Sequence, residues 1–212
     1  MIAEIVLVSF IGGLLSLDVS AWGQIMVSRP IVCGPLIGLL LGDLKTGLII
    51  GVLLELIWIN VISVGAAIPA NATIVAVTCT TLIILIERTL PPGNNFQGPY
   101  RMFVLALTMP LGEIFKVIDI KQRKLNIHFV HYLDREITKG NLKALEKVNY
   151  FSLFLFFLKG FLFSLIAISL GVYILPGLFS YLPYGILGGL NFAYRLMPAL
   201  GLAIAFNTFR GL

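Results

Sequence analysis

A carboxylate, an indole and an amide lie close together within one apolar stretch: Glu55, Trp58 and Asn60. Glu55 sits near the middle of an 18-residue apolar run, 47–64. A charged side chain at the centre of a bilayer costs roughly 2.5–3.5 kcal/mol on insertion scales. Its carboxyl must therefore be protonated, paired or turned toward a polar cavity. Acids at such depth mark substrate or ion paths, with a buried structural hydrogen bond as the alternative. Together the three side chains suit a polyhydroxyl ligand. The polar groups take hydroxyls, and the ring packs on an apolar sugar face. Trp58 alone reads as packing or an interface anchor.

Other polar groups interrupt the apolar runs. Asp18 ends the first run and is followed by Ser20, Trp22, Gln24 and Arg29. This segment is either a helix terminus with an interfacial loop or the polar mouth of the same cavity. Asn71 and Thr73, after Pro69, interrupt a later run, with Gly65, Ala66 and Ala67 making a close-packed, broken approach. Lys159 is the one basic residue inside the run 150–175 and is expected to pair with an acid such as Glu113 or to snorkel. Asp43 and Lys45 are expected to pair within their turn. His128 and His131 stand three apart, but no third ligand accompanies them, so no metal site is expected. Cys33 and Cys79 read as buried small hydrophobes. Phosphate-cradling glycine loops, nucleophile elbows and zinc-protease motifs are absent from the sequence, so no catalytic residue and no cofactor is expected.

The elements that must position these groups are membrane helices. The chain is 58% hydrophobic and 12% charged, with a mean hydropathy of +1.00. A water-soluble domain averages about a quarter charged residues. The natural unit here is the span of about 20 apolar residues. The fold expected is all-α: a single integral membrane domain over 1–212 with six or seven apolar segments. No A-x-A-like site follows the first apolar run, and Glu4 stands where a signal peptide is basic. The first run is read as a retained helix.

Run 31–41 reaches only about 16 Å at 1.5 Å per residue, half a hydrocarbon core. Pro30 starts it and Gly42-Asp43 stops it. Run 47–64 is long enough to cross. A short broken helix beside a full one is how transporters place a site at mid-membrane, so a re-entrant or broken-helix hairpin is expected near 30–64. Gly34, Gly38 and Gly42 recur every four residues, as do Gly47 and Gly51, and Glu55 continues the second series. Small residues at this spacing let helices approach closely.

Seven of the fifteen Lys and Arg residues fall within 119–149. Basic loops stay in the cytoplasm, so this segment faces inward and the loop 87–101, with its turn residues Pro91 to Asn95, faces outward. The charge is a topology signal and not a nucleic-acid footprint. Phe129, Leu133 and Ile137 share one helical face, Gly140-Asn141 breaks the pattern, and a second short helix follows from Leu142. The segment is either a solvated connector against the membrane surface or a docking surface for a cytoplasmic partner.

Residues 17–75 contain the block RP-x4-P-LIG-x3-GD-x2-TG-x3-G-x3-EL, from Arg29 to Leu56. This resembles the N-terminal half of the IIC component of the mannose/fructose/sorbose phosphotransferase family. The resemblance continues in PLGEIFK (110–116), in His131, Asp134, Gly140 and Asn141, and in LMPALGLAIAFN (196–207). It implies a sugar-translocating subunit of the bacterial cytoplasmic membrane, without enzymatic activity of its own. Such a subunit pairs with a IID membrane protein, the pairs assemble as trimers, and a cytoplasmic IIB protein charged by IIA phosphorylates the sugar. The family's sugar-contacting positions fall on Asp18, Gln24, Glu55 and Asn71, with Asn60 nearby. Asn71 replaces a usual aspartate and Asn60 a common glycine. Relatives continue through roughly one or two more membrane segments past the position of Leu212, so the chain reads as a shortened IIC, which is what makes a scaffold or sensor descended from one a competing class. A non-transporting scaffold and an ion-coupled carrier using Glu55 are the other classes compatible with the residues.

Overall fold

The computed structural model describes residues 1–19, 21–59, 61, 68–89 and 97–210, the side chains of 208–210 excepted. Among the described residues there are seven helices and no strand: α1 (Ile2–Asp18), α2 (Pro30–Leu40), α3 (Leu44–Trp58), α4 (Ala72–Glu87), α5 (Gln97–Thr138), α6 (Lys143–Ser180) and α7 (Tyr184–Arg210). Two of them, α6 and α7 through Asn207, are individually long and apolar enough to cross a membrane.

Local sequence sets the ends. Pro30 occupies the first turn of α2, where its missing N–H costs nothing. At the other end Gly42 adopts φ +78°. The Gly42 N–H donates to Leu39 O and the Asp43 N–H to Gly38 O, a Schellman closure. Asp43 then caps α3, its carboxylate accepting from the Thr46 N–H at 3.0 Å. The expected pairing of Asp43 with Lys45 therefore gives way to a capping role. Gly42 is the turn, and the packing face is formed by Gly34 and Gly38 alone.

That face closes against Gly47 and Gly51. A Cβ built on Gly34 would stand 2.5 Å from Gly47 O, and one on Gly47 would stand 2.7 Å from Gly38 Cα. The two backbones touch directly, which is the geometry the four-residue spacing predicts. A second small-residue seam joins α1 to α6. A Cβ on Gly12 would meet Ser164 Oγ at 2.9 Å, and Gly13 lies under Phe157.

α4 is the hub. It is buried continuously from Thr73 to Ile86 and packs against α1, α2, α3, α5 and α6. A helix apolar on every side must be enclosed by protein or lipid; here protein encloses it.

The solvated connector and short second helix expected over 119–149 are instead the ends of two long helices, α5 and α6. Each is one long helix, 42 and 38 residues, about 63 and 57 Å at 1.5 Å per residue. They pack as an antiparallel pair, with Phe129 against Phe151 at 5.5 Å between ring centroids. The break at Gly140-Asn141 is where the pattern put it. Gly140 has φ +80°, and the Gly140 and Asn141 N–H groups close on Ile137 O and Glu136 O. Hydrogen bonds from Lys139 and Asn141 also hold the Glu136 carboxyl below its usual range.

Lys159 pairs with Asp119 across the two long helices, not with Glu113, which bonds Lys116 instead. The ammonium lies 4.5 Å from the Phe156 ring centroid and 4.9 Å from that of Phe115. Both partners of the pair are largely buried. Lys159→Met keeps the aliphatic contacts but strands Asp119, and should lower stability by about 3 kcal/mol. Adding Asp119→Asn should recover most of that loss. Thermal unfolding midpoints of the two variants in detergent check this; equal midpoints would show that the pair is not coupled.

Candidate functional site

Among the described residues, the ion pairs that join different elements fall into three layers. The first holds Thr46, Glu87, Arg101 and Tyr194, with Glu4 and Arg88 paired at 2.6 Å beside them. The third is Asp119–Lys159. Along α5, Asp119 lies eighteen residues beyond Arg101, about 27 Å, close to the thickness of a hydrocarbon core. The second layer lies between them. α3 carries Glu55 nine residues past Thr46, about 14 Å. α5 carries Gly112 eleven residues past Arg101, about 16 Å.

The second layer is made of chain breaks. α1 ends at Asp18, α2 starts at Pro30, and α4 starts at Ala72. Irregular backbone at this depth needs its polar groups satisfied by protein, and the segment after Asp18 shows how. The Asp18 carboxylate accepts from the Ile25 N–H at 2.7 Å and the Ser28 N–H at 3.0 Å. The Cys33 thiol donates to Val27 O at 3.2 Å. The Thr73 hydroxyl donates to Ser28 O at 2.8 Å, tying the start of α4 to the approach to α2.

Glu55 is paired. Its Oε1 lies 2.6 Å from an Arg29 guanidinium nitrogen, and its Oε2 accepts from the Ile31 N–H at 3.3 Å. The carboxylate of α3 thus caps the N-terminus of α2 from the neighbouring helix, where a negative group is favoured. Asn71 caps α4, its side-chain oxygen accepting from the Ile74 N–H at 3.1 Å. Its own N–H donates to Gly112 O at 3.1 Å.

The residues expected from sequence are placed as follows. Glu55 and Asp18 flank the same loop, and Asn71 adjoins it through Thr73. Gln24 stands exposed on that loop at φ +50°. Asn60, Ser20, the stretch from Gly65 to Ala67 and the turn from Pro91 to Asn95 lie outside the described residues. Arg29 and Thr73, named beside Asp18 and Asn71 as polar interruptions of the apolar runs, join the layer, and Cys33, read as a buried small hydrophobe, joins it through its thiol.

A separate concavity of about 640 Å³ runs along α5, lined by His128, His131, Tyr132, Asp134 and Arg135. Its lining comes from two turns of one helix, so it is an open groove and not an enclosed site. Among the described residues no cluster of three or more His, Cys, Asp or Glu could hold a metal ion.

One family model, one curated relative and two solved structures share this chain's pattern. The family model described as the PTS system sorbose-specific IIC component matches residues 2–210. The mannose-specific EIIC component of Escherichia coli K12 is 30% identical over 183 residues, covering 86% of this chain and 65% of that protein. This chain therefore spans just under two thirds of that relative's length. A solved structure of a membrane protein superposes with a TM-score of 0.74 at 28% identity, covering 98% of this chain and 78% of the other. A cryo-EM structure of the mannose transporter ManYZ with microcin E492 gives 0.65 at 28% identity, covering 99% and 79%.

Proposed function

The chain belongs to the family of sorbose-specific IIC components of phosphotransferase systems, and from that premise we propose that it is a sugar-translocating membrane subunit. The observation that carries the reading is the Arg29–Glu55 pair at mid-depth, at the mouth of a re-entrant hairpin. A hexose or amino sugar binds beside it and donates hydroxyls to Glu55. Asp18 and Asn71 shape the walls, since their side-chain oxygens already hold the loop and the start of α4. Gln24 and Asn60 remain candidate contacts.

In this reading a IID membrane subunit completes the path, supported by the likeness to the ManYZ transporter. The exposed apolar faces of α6 and α7, with Ile166, Leu170, Tyr173, Phe192 and Leu200, meet that partner and lipid. The pairs assemble as trimers in the bacterial cytoplasmic membrane. The basic α5–α6 hairpin faces inward, and a IIB protein charged by IIA phosphorylates the arriving sugar. The chain itself transfers no phosphoryl group. Access alternates as the glycine-locked α2–α3 hairpin shifts as one body. Its packing on α4 and α7, with little on α1, supports such a unit.

Hexose binding to the chain co-purified with its IID partner tests the assignment. Glu55→Gln should weaken binding by about tenfold, the loss of a hydrogen bond to a charged acceptor. Unchanged affinity would remove Glu55 from the site.

A further inference from the structure

We propose that Arg29 is the positioning residue of the site: it fixes the orientation of the Glu55 carboxylate so that its unused lone pairs face the ligand. The proposal rests on the sugar-binding reading of Glu55 given above.

The backbone around Arg29 is anchored before its side chain does anything. The residue before a proline is pushed to extended geometry, and Arg29 adopts φ −68°, ψ 142°. Its neighbour Ser28 is held twice, by Asp18 at its N–H and by Thr73 at its carbonyl. Val27 is held by the Cys33 thiol. Three elements thus fix the point from which the guanidinium reaches across to α3.

Its closest contact runs to one oxygen of the carboxylate. One guanidinium nitrogen meets Oε1 at 2.6 Å, while Oε2 is taken by the Ile31 N–H. A carboxylate offers about four lone-pair sites, so with the two contacts seen among the described residues roughly half remain for hydroxyl donors. Held at both oxygens by groups of α2, the carboxyl plane cannot rotate freely. Glu55 is 13% exposed and Arg29 34% exposed, so the open side of the pair is the side a ligand reaches. Hydrogen bonds from neutral hydroxyls to a carboxylate are about twice as strong as those between neutral groups. An oriented carboxylate therefore selects a neutral polyol by geometry, and Arg29 acts on affinity through it.

The test is a mutant cycle on the purified complex with its membrane partner, read by hexose affinity and by thermal midpoint. Glu55→Gln and Arg29→Gln should each lose about tenfold in affinity. The double variant should be no weaker than the worse single variant, within about twofold, because both losses remove one function. Arg29→Lys should restore affinity to within about threefold of the parent, since a point charge can supply one contact. Loss in Glu55→Gln with none in Arg29→Gln overturns the role of Arg29 and leaves the site standing. Multiplying losses in the double variant overturn it too, since Arg29 then contacts the sugar independently. A loss in Arg29→Gln that follows a lowered midpoint and is not rescued by lysine makes Arg29 structural only. No loss in Glu55→Gln overturns the underlying reading instead. The Gln–Gln double variant carries no stranded charge, so it keeps the cycle readable even where Arg29→Gln folds poorly.

Discussion

Gly34→Ala is expected to keep the α2–α3 hairpin from closing. A methyl group there meets Gly47 O at 2.5 Å, Gly51 Cα at 2.6 Å and Gly51 N at 2.9 Å. All three are backbone atoms, so no rotamer change makes room and the helices must part. Overpacking a well-packed interface costs about 1–3 kcal/mol when side chains can yield. Here they cannot, and parting the helices also pulls Arg29 away from Glu55. The expected loss is at the top of that range or above it, about 3 kcal/mol. Thermal unfolding of the detergent-solubilised complex measures it. The control is Gly188→Ala on α7, where an added Cβ meets nothing within 4 Å. That change should be neutral or slightly stabilising, since alanine suits a helix better by up to about 1 kcal/mol. A Gly34→Ala complex as stable as Gly188→Ala would show that the backbones do not touch in the membrane. Hexose affinity should fall with stability in Gly34→Ala, because the same seam sets the distance from α2 to Glu55.

The glycine seam was readable because it is periodic. A repeat of four puts small residues on one helical face, whatever surrounds the helix. Gly42 obeyed the spacing but not the role, because the next residues, Asp43 and Thr46, form a cap that ends the helix there. Likewise the break at Gly140 was legible, since left-handed backbone favours glycine. The two long helices on either side were not. Apolar runs report contact with lipid and say nothing of a helix continuing into water, so α5 and α6 were read as pieces. Glu55 was legible as an anomaly, an acid in an apolar run. Its partner was not, because Arg29 lies 26 residues away and reaches it only through the fold. Lys159 shows the same limit: Asp119 and Glu113 lie on the same helix, and only the angle at which α6 crosses α5 chooses between them.

That limit is sharpest at Arg101, which the sequence placed in an outward loop and the structure places at a four-helix junction. Its Nε and one terminal nitrogen grip both oxygens of Glu87 at 2.7 and 2.8 Å. The same terminal nitrogen reaches Thr46 Oγ1 at 3.2 Å, and the other reaches the Tyr194 hydroxyl at 3.5 Å. One guanidinium therefore ties the first turn of α3 to α4 and α7. The side chains of Arg101 and Glu87 are 14% and 11% exposed, so neither charge is well served by water. Arg101→Met should cost about 3–5 kcal/mol, the range for breaking one partner of a buried pair. Arg101→Lys should recover little, because an ammonium cannot grip two oxygens in a fixed fork. That outcome is opposite to the one expected at Arg29, where the second carboxylate oxygen is taken by the Ile31 N–H. Adding Glu87→Gln to Arg101→Met should recover most of the stability, because no charge is then stranded. The thermal midpoints of these three variants check the sequence of effects. Full recovery by lysine alone would mean that the junction needs only a positive charge. The fork would then have no part in holding the hairpin against α4 and α7.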